Sequence, residues 1–290
     1  MIIFVATPNH TRTHMSVANE PDRGFDFEVT TYPKLAMQPR RKATYIFADL
    51  DRLPAVGLAK AAGWYRDLKS QGCRVLNDPA RFLSRYGLLR ALFRTGSNSF
   101  NAYFAEERVM PRRWPVFLRM QGDHGYPSGL LESPEQLRRA INRAVGHGVP
   151  FANLLIIEYA GEPVKPGLFR KLSVFRVGGL HLGYTCVHQA QWVVKYGTEG
   201  IADEELYEDE FRLVRDNPFG AQLAKVFRTA GLEYGRADFA IVKGRLEVYE
   251  INSNPDLKLR PKLHPSSLRN RSVELFRERY LEAMSVLDTG

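Results

Sequence analysis

Short apolar runs alternate along this chain with longer stretches whose apolar residues recur at helical spacing. Residues 1–6 are almost wholly apolar, and a second β-rich run at 43–48 leads to the acidic pair Asp49 and Asp51. Helical spacing follows over 57–70 and stops before Gly72, where glycine is favoured just after a helix end. This alternation predicts an α/β or α+β protein.

Helix-start signals extend the same pattern. Asp78 and Pro79 predict an N-cap and a first helical residue for a helix that continues to about Arg94 and stops at Gly96. With a short strand at 74–76, residues 1–113 are therefore predicted to form an α/β lobe that could bind a substrate.

The middle of the chain reads as a compact α+β lobe over residues 113–190. Ser133 and Gln136 form a capping box with Pro134 at the first helical position. Gly178 and Gly179 separate two apolar runs and predict a hairpin. The predicted strands are at 115–119, 154–159, 172–177 and 180–187.

The last portion combines three predicted helices with one hairpin. The helices are expected at 203–214, from Asn217 to Gly231, and at 272–284, and the hairpin covers 236–252.

Composition narrows the function classes. The 290 residues are 44% hydrophobic and 25% charged, which excludes fibrous and wholly disordered proteins. A net charge of +9 favours anionic partners such as nucleotides or phosphates. The basic residues are scattered, however, so no nucleic-acid partner is expected. Two distant cysteines, Cys73 and Cys186, and the lack of a signal peptide or an 18-residue apolar run predict a cytoplasmic protein without a membrane span.

The most informative stretch is 234–255, in which Asp238 and Glu250 lie on the two arms of a hairpin around Lys243 and Gly244. Since strand side chains alternate between faces, the register decides whether the two carboxylates meet. A two-residue turn would pair Asp238 with Tyr249 and place Glu250 on the opposite face. A three-residue loop from Val242 to Gly244 would instead put Asp238, Glu250 and Asn252 on one face.

Two carboxylates and an amide oxygen on one face form the all-oxygen ligand set that magnesium prefers, usually completed by phosphate oxygens. Arg236 lies two residues before Asp238 and is expected to point the same way, where it could hold a phosphoryl oxygen. From the spacing alone, the alternative is that these acids lie on an exposed hairpin face and are solvated without binding a metal.

The pattern Arg236-x-Asp238 followed by Glu250-x-Asn252-x-x-Pro255 resembles the metal-binding signature of the ATP-grasp superfamily of carboxylate–amine and carboxylate–thiol ligases. The resemblance covers roughly residues 70–258. It implies an ATP-grasp fold with an N-terminal pre-ATP-grasp lobe at 1–113, a small lobe at 114–194 and a C-terminal lobe at 195–290. It also implies metal binding by Asp238, Glu250 and Asn252, and a catalytic role for Arg236.

Upstream, the resemblance implies nucleotide-binding groups. Arg119 matches a phosphate-binding and catalytic lysine, and Arg85 matches an earlier lysine, so arginine replaces lysine at both places. The loop with Gly122, His124 and Gly125 matches the phosphate loop.

The apolar run at 154–159 matches the family's adenine hinge. Glu158 and the backbone of Tyr159 and Ala160 match the hinge groups that read adenine, with Glu162 a weaker match for the ribose. Lys171 is expected to contact phosphate, with Arg170 and Arg176 as alternatives that the sequence leaves open. Lys195-Tyr196-Gly197 resembles a loop of D-alanine–D-alanine ligases, although two matching residues carry little weight.

The implied activity is ADP-forming ligation that uses ATP and Mg²⁺ (or Mn²⁺). A small-molecule or peptide carboxylate becomes an acyl phosphate, and an amine substrate then displaces phosphate. The alternatives are a phosphotransferase of the same fold and a degenerate nucleotide-binding module, which the two lysine-to-arginine departures suggest. An oligomer is possible, and the sequence identifies neither substrate.

Overall fold

Twelve strands and eight α-helices are present in the computed structural model, which describes residues 1–122 and 128–288. The strands are β1 Ile2–Ala6, β2 Phe27–Thr31, β3 Thr44–Phe47, β4 Arg74–Leu76, β5 Ala102–Phe104, β6 Val116–Met120, β7 Leu154–Glu158, β8 Pro163–Lys165, β9 Leu168–Val177, β10 Leu180–Gln189, β11 Tyr234–Val242 and β12 Arg245–Asn252. The helices are α1 Met15–Ala18, α2 Tyr32–Met37, α3 Ala55–Ser70, α4 Arg85–Arg94, α5 Pro134–Gly146, α6 Glu204–Asp216, α7 Gly220–Ala230 and α8 Ser267–Leu287.

The first sheet is parallel and has the strand order β2-β1-β3-β4. Every residue of β1 and β3 is buried, as expected for strands that are covered on both faces. The chain leaves these strands at the same edge of the sheet, so the loops beginning at Thr7 and Ala48 are neighbours.

The second sheet is antiparallel, with the order β10-β9-β11-β12 and with β8 paired to β9. Gly178 and Gly179 form the turn between β9 and β10, as the sequence predicts. The third sheet has the order β5-β7-β6, and α5 packs against it through Leu137 and Ala144.

The first and second sheets share hydrophobic cores. Phe47 of the first sheet lies in one cluster with Phe239 and Val248, and Phe4 lies in another with Phe175 and Phe276.

A buried asparagine, Asn77, adds hydrogen bonds across the same boundary. Its amide nitrogen donates to the carbonyls of Phe47 and Tyr234, both at 2.9 Å, while its oxygen accepts from the backbone of Glu233 and Tyr234. The N-terminal sheet is therefore fixed directly against the strand that carries Asp238.

Sheet membership does not follow the predicted boundaries at 113/114 and 194/195. Strand β5 precedes the first boundary, yet it pairs with β7. Strands β9 and β10 precede the second boundary, yet they extend the sheet of β11 and β12. The division of the chain into domains stays a prediction.

One predicted helix start is also displaced. Asp78 caps only the short 3-10 turn Pro79–Arg81, and α4 begins at Arg85 with the Ser84 hydroxyl as its cap. Arg85 is thus the first residue of α4. Within residues 1–122 and 128–288, no helix is both long and apolar enough to cross a membrane.

Candidate functional site

The hairpin of β11 and β12 brings the two predicted acids face to face by a route that the sequence did not predict. Val242 pairs with Arg245, so the turn has only two residues, Lys243 and Gly244, both with positive φ (49° and 74°). The register shifts further along, where Phe239 pairs with Val248 and Asp238 pairs with Glu250. Tyr249 is therefore an extra residue, a β-bulge that places Asp238 and Glu250 on one face, the outcome expected from a three-residue loop.

Asp238 is 1% exposed and is surrounded by donors from its own strand and from β9. Ser173, directly opposite on β9, donates its hydroxyl to Oδ1 at 2.8 Å. Arg236 donates Nε at 2.8 Å, and Lys171 Nζ lies 3.0 Å from Oδ2. All three donors share the face of Asp238 because they lie opposite it or two residues away along a strand. Burial disfavours the ionised carboxylate, but the charges of Arg236 and Lys171 outweigh it and lower the pKa of Asp238.

Glu250 joins three elements through its Oε2 atom. Arg85 Nη2, at the start of α4, lies at 3.2 Å, and Arg119 Nη2, on β6, lies at 2.9 Å. The Arg85 guanidinium also donates to the carbonyls of Met120, at the end of β6, and Gln121, at the start of the following loop, at 2.9 and 3.0 Å. Burial opposes ionisation of Glu250, and the two arginines overcome it, so the pKa of this carboxyl is lowered.

The cluster is strongly positive when the charges are taken together. Within residues 1–122 and 128–288, the ion pairs of four cations, Arg85, Arg119, Lys171 and Arg236, are shared between two carboxylates, Asp238 and Glu250. At neutral pH their net charge is about +2. A highly charged anion is therefore the ligand that this end of the site favours.

A cavity of about 180 Å³ extends from this cluster to an apolar end. Its charged end includes Arg119, Lys171, Asp238 and Glu250. Its apolar wall consists of aromatic and aliphatic side chains that are far apart in sequence: Leu89, Phe100, Phe117, Ile157, Phe169, Trp192 and Tyr249. The cavity thus offers a flat apolar group a place at one end and an anionic group a place at the other.

The predicted hinge borders the apolar end, but the side chain of Glu158 is not available to a ligand. It is 1% exposed and accepts hydrogen bonds from the backbone N–H groups of Asn101, Arg112 and Arg113 and from the Tyr103 hydroxyl. These four donors occupy the carboxylate fully, so the expectation that it reads a base edge is wrong. Glu158 instead holds the segment 101–113 on β7.

The hinge backbone is partly engaged as well. The Tyr159 N–H donates to the Pro115 carbonyl at 2.9 Å, and the Ala160 carbonyl accepts from the Tyr249 hydroxyl at 2.7 Å. Within the described ranges, no hydrogen bond uses the Tyr159 carbonyl or the Ala160 N–H.

The structure separates the three basic residues that the sequence left as alternatives. Lys171 reaches Asp238, whereas Arg170 pairs with Asp209 at 2.7 Å and Arg176 donates to the carbonyls of Gly178 and Leu232.

The third predicted metal ligand, Asn252, lies opposite Arg236, and its Oδ1 accepts from the Asn254 N–H at 2.8 Å.

The loop after β6 is described only in part. Gly122 is exposed at its start. His124 and Gly125 lie outside the described residues.

Sequence reasoning missed Ser173, Trp192 and Tyr249. The alternation of β9 could have indicated Ser173, which shares a face with Lys171. Trp192 contacts the rings of Phe117 and Tyr159, with centroids 5.1 and 5.5 Å apart, from a segment without regular structure. No local pattern predicts such a packing.

No protein-family model and no curated protein matches the sequence. Solved structures do match over nearly the whole chain. D-alanine–D-alanine ligase from Bacillus anthracis, complexed with ATP, is 12% identical with a TM-score of 0.56, covering 99% of this chain and 98% of that one. The ATP-grasp ligase PsnB, complexed with a minimal precursor, is 12% identical with a TM-score of 0.57 and the same coverage. A RimK domain protein from Sphaerobacter thermophilus is 15% identical with a TM-score of 0.55 over all of both chains.

Proposed function

We propose that this chain, which has the ATP-grasp fold, is an ATP-dependent ligase that activates a carboxylate as an acyl phosphate and joins it to an amine. The observation that carries the proposal is the two-ended cavity, with an aromatic, apolar end at the hinge and a cationic end that holds the buried Asp238 and the half-buried Glu250. The three similar structures are those of ATP-grasp proteins or ligases, one of them with ATP bound.

Adenine is the group that the apolar end accommodates. Its rings would lie among Phe117, Trp192 and Tyr249, which line the cavity. The Tyr159 carbonyl and the Ala160 N–H belong to one trans peptide and point in opposite directions, so one of them at a time can meet a given edge of adenine. The hinge thereby recognises the base through its backbone, while Glu158 keeps its structural role.

The triphosphate and its metal belong at the charged end. In the described part of the chain, no group of three or more His, Cys, Asp or Glu side chains is placed to hold a metal ion. The donors Asp238, Glu250 and Asn252 are nevertheless hard oxygens, and Mg²⁺ in proteins is typically held by one or two carboxylates together with phosphate oxygens. When bound there, the ion would neutralise phosphate charge during transfer.

This chain's own residues position and stabilise the reacting groups. Arg119, Lys171 and Arg85 would bind phosphoryl oxygens, which replace the carboxylates as their partners. Arg236, held beside Asp238 at 2.8 Å, would stabilise the transferred phosphoryl group and the acyl phosphate. Such catalysis depends on positioning and electrostatics, so no protein nucleophile is needed.

The test is release of ADP and phosphate with ATP and magnesium across a panel of carboxylate and amine pairs. Wild type is compared with Glu250→Gln and with Glu208→Gln, which alters an exposed glutamate of α6. We expect turnover that needs both an acid and an amine, an amide product, and loss of both with Glu250→Gln only.

Other outcomes would replace the proposal. A stable phosphorylated product that forms without an amine would identify a phosphotransferase. Magnesium-dependent ATP binding without turnover on any pair would favour a nucleotide-binding module. Absence of such binding by calorimetry would contradict any nucleotide site here.

A further inference from the structure

The loop after β1 contains a histidine whose tautomer its neighbours fix. The Thr7 hydroxyl donates to Asp49 Oδ2 at 2.8 Å and also lies 2.8 Å from His10 Nδ1. A hydroxyl has a single proton, so Nδ1 must be the donor in the second contact. In a neutral imidazole, a proton on Nδ1 leaves Nε2 with an acceptor lone pair.

Asp49 is held firmly as the acceptor at the end of this chain of hydrogen bonds. It is 1% exposed, and its Oδ2 also accepts from the Thr7 backbone N–H at 2.9 Å. Arg52 Nε lies 3.3 Å from Oδ1. The order His10 to Thr7 to Asp49 is thus fixed by the protein.

His10 lies beside the end of the hairpin that carries the acids. The Asn254 side chain donates to the His10 carbonyl at 3.2 Å, and the Asn254 N–H donates to Asn252 Oδ1 at 2.8 Å. The neighbouring loop is attached as well, because the Leu50 N–H donates to Ser253 Oγ at 3.2 Å. The loops after β1 and β3 and the end of β12 therefore meet at one place.

A small cavity of about 40 Å³ lies on this side of the site and is lined by Asp51 from the loop after β3 and by Arg85, Gln121, Glu250 and Asn252. Asn252 of this cavity connects through Asn254 to the His10 carbonyl.

The proposed reaction needs a base at this point. When an amine attacks an acyl phosphate, the new N–C bond forms, the C–O bond to phosphate breaks, and phosphate leaves with the electron pair. At neutral pH a substrate amine is an ammonium ion, so its nitrogen must release one proton before it has a lone pair with which to attack, and a second proton leaves as the amide forms. The side chains of the charged cluster are poor acceptors, since four are cations and the two carboxylates are paired with them.

We propose that His10 Nε2 accepts the first of these protons and that Thr7 and Asp49 are positioning residues that keep Nδ1 protonated. The inference rests on the proposed ligase function. Within residues 1–122 and 128–288, no hydrogen bond uses Nε2, and the ring is half-buried. His10 belongs to no nucleophile motif, so it would act on the amine alone.

The test compares two nucleophiles that react with the acyl phosphate: the amine substrate and hydroxylamine. His10→Asn keeps an N–H for Thr7 but removes the basic nitrogen. With the active pair, we expect amide formation to fall about 100-fold or more, the range that general-base catalysis contributes. Hydroxamate formation with hydroxylamine in place of the amine should be unchanged, because that nitrogen is largely unprotonated at neutral pH.

His147→Asn is the matched control. His147 is exposed at the end of α5, and its Nδ1 lies 2.7 Å from the Arg143 carbonyl, so it has the same tautomer away from the site. It should change neither rate. Equal loss of amide and hydroxamate in His10→Asn, or loss of neither, would overturn the role of His10.

The positioning residues have a test that a merely structural role would not pass. Thr7→Val should lower the rate of amide formation and weaken the preference of His10 for a proton on Nδ1, which its ¹⁵N chemical shifts report. Thr7→Ser should restore both the rate and the tautomer preference. An Nε2–H tautomer in wild type would refute the inference. Wild type that forms no hydroxamate from any carboxylate would instead refute the proposed function, on which the role of His10 depends.

Discussion

At the scale of single residues, arginine replaces the expected lysine at the two places that contact Glu250. A lysine ammonium is a point charge, whereas a guanidinium presents several donors in a planar fork. Arg85 uses that fork to contact Glu250 and the carbonyls of Met120 and Gln121 at once. The substitution therefore links the start of the loop after β6 to the hairpin.

The same ion pairs predict how metal and nucleotide affect each other's binding. In Glu250→Gln, Arg85 and Arg119 lose the carboxylate of Glu250, which no longer competes with phosphate for their guanidinium groups. We expect metal-free ADP to bind at least as tightly as in wild type. The gain in ADP affinity from magnesium should shrink by about 5- to 150-fold, the usual range of a coupling between two ligands.

Calorimetry with ADP, in chelator and in excess magnesium, measures both quantities. Glu208→Gln serves as the control and should behave as wild type. Weaker binding of metal-free ADP by Glu250→Gln would show that Glu250 does not compete with phosphate for the arginines.

Glu158 shows where residue-level prediction ends. A glutamate at the end of an apolar strand is unusual, and the resemblance assigned its side chain to adenine recognition. Its partners are backbone groups at 101, 112 and 113, which only the folded chain brings together. The residues next to Glu158 in sequence do not indicate these hydrogen-bond partners.

At the scale of elements, the sequence left two hairpin registers open, and the structure combines parts of both. The turn has two residues, yet the bulge at Tyr249 places Asp238 opposite Glu250. The Tyr249 hydroxyl donates to the Ala160 carbonyl on a distant segment, a contact that the spacing within the hairpin does not indicate. The ATP-grasp fold inferred from the hairpin motif is confirmed.

The turn of this hairpin leads to a stability prediction. Lys243 has φ of 49°, a left-handed conformation that asparagine adopts more readily than lysine. Lys243→Asn should stabilise the protein by about 0.5 kcal/mol in urea unfolding. The backbone N–H of residue 243, which donates to Glu162 at 2.9 Å, is retained in the variant. A destabilised variant would mean that the lysine side chain has a role of its own.

A second prediction concerns the packing of β10 on α6. A Cβ on Gly183 would lie 2.2 Å from the Leu213 carbonyl oxygen and 2.9 Å from the Val214 Cα, so the backbone of α6 would have to move. Gly183→Ala should destabilise the protein by about 3 kcal/mol or more. Gly179→Ala, where a Cβ meets nothing within 4 Å, is the control and should be close to neutral. Equal melting temperatures for both variants would contradict this packing.

At the scale of the whole molecule, the site depends on contacts between parts that are remote in sequence. The acids lie on the C-terminal hairpin, their arginines on α4 and β6, and His10 on the loop after β1. Periodicity predicted most of the long elements, but it could not predict that β9 and β10 join the sheet of β11 rather than that of β7. That choice is made by hydrogen bonds and packing across more than 60 residues of sequence, as in the pairing of Asp238 with Ser173.

The buried histidines predict that the whole molecule loses stability in mild acid. Burial, reinforced by the charge of Arg170, lowers the pKa of His188 to about 4, and burial lowers that of His14 to about 3. Between pH 6.5 and 4 the unfolded chain therefore binds protons that the folded chain does not, and the free energy of unfolding falls as the pH falls. For His188 alone, the loss between pH 6.5 and 5 is about 2 kcal/mol.

Urea unfolding of wild type and His188→Gln at several pH values from 7 to 5 measures this effect. Glutamine does not titrate, so we expect the variant to lose about 2 kcal/mol less than wild type over that range, whatever its stability at pH 7. His147→Gln, at an exposed position, should follow the wild-type pH dependence. If His188→Gln also follows it, the imidazole of His188 takes up its proton equally well in both states. The packing around β10 would then have to admit water to that ring.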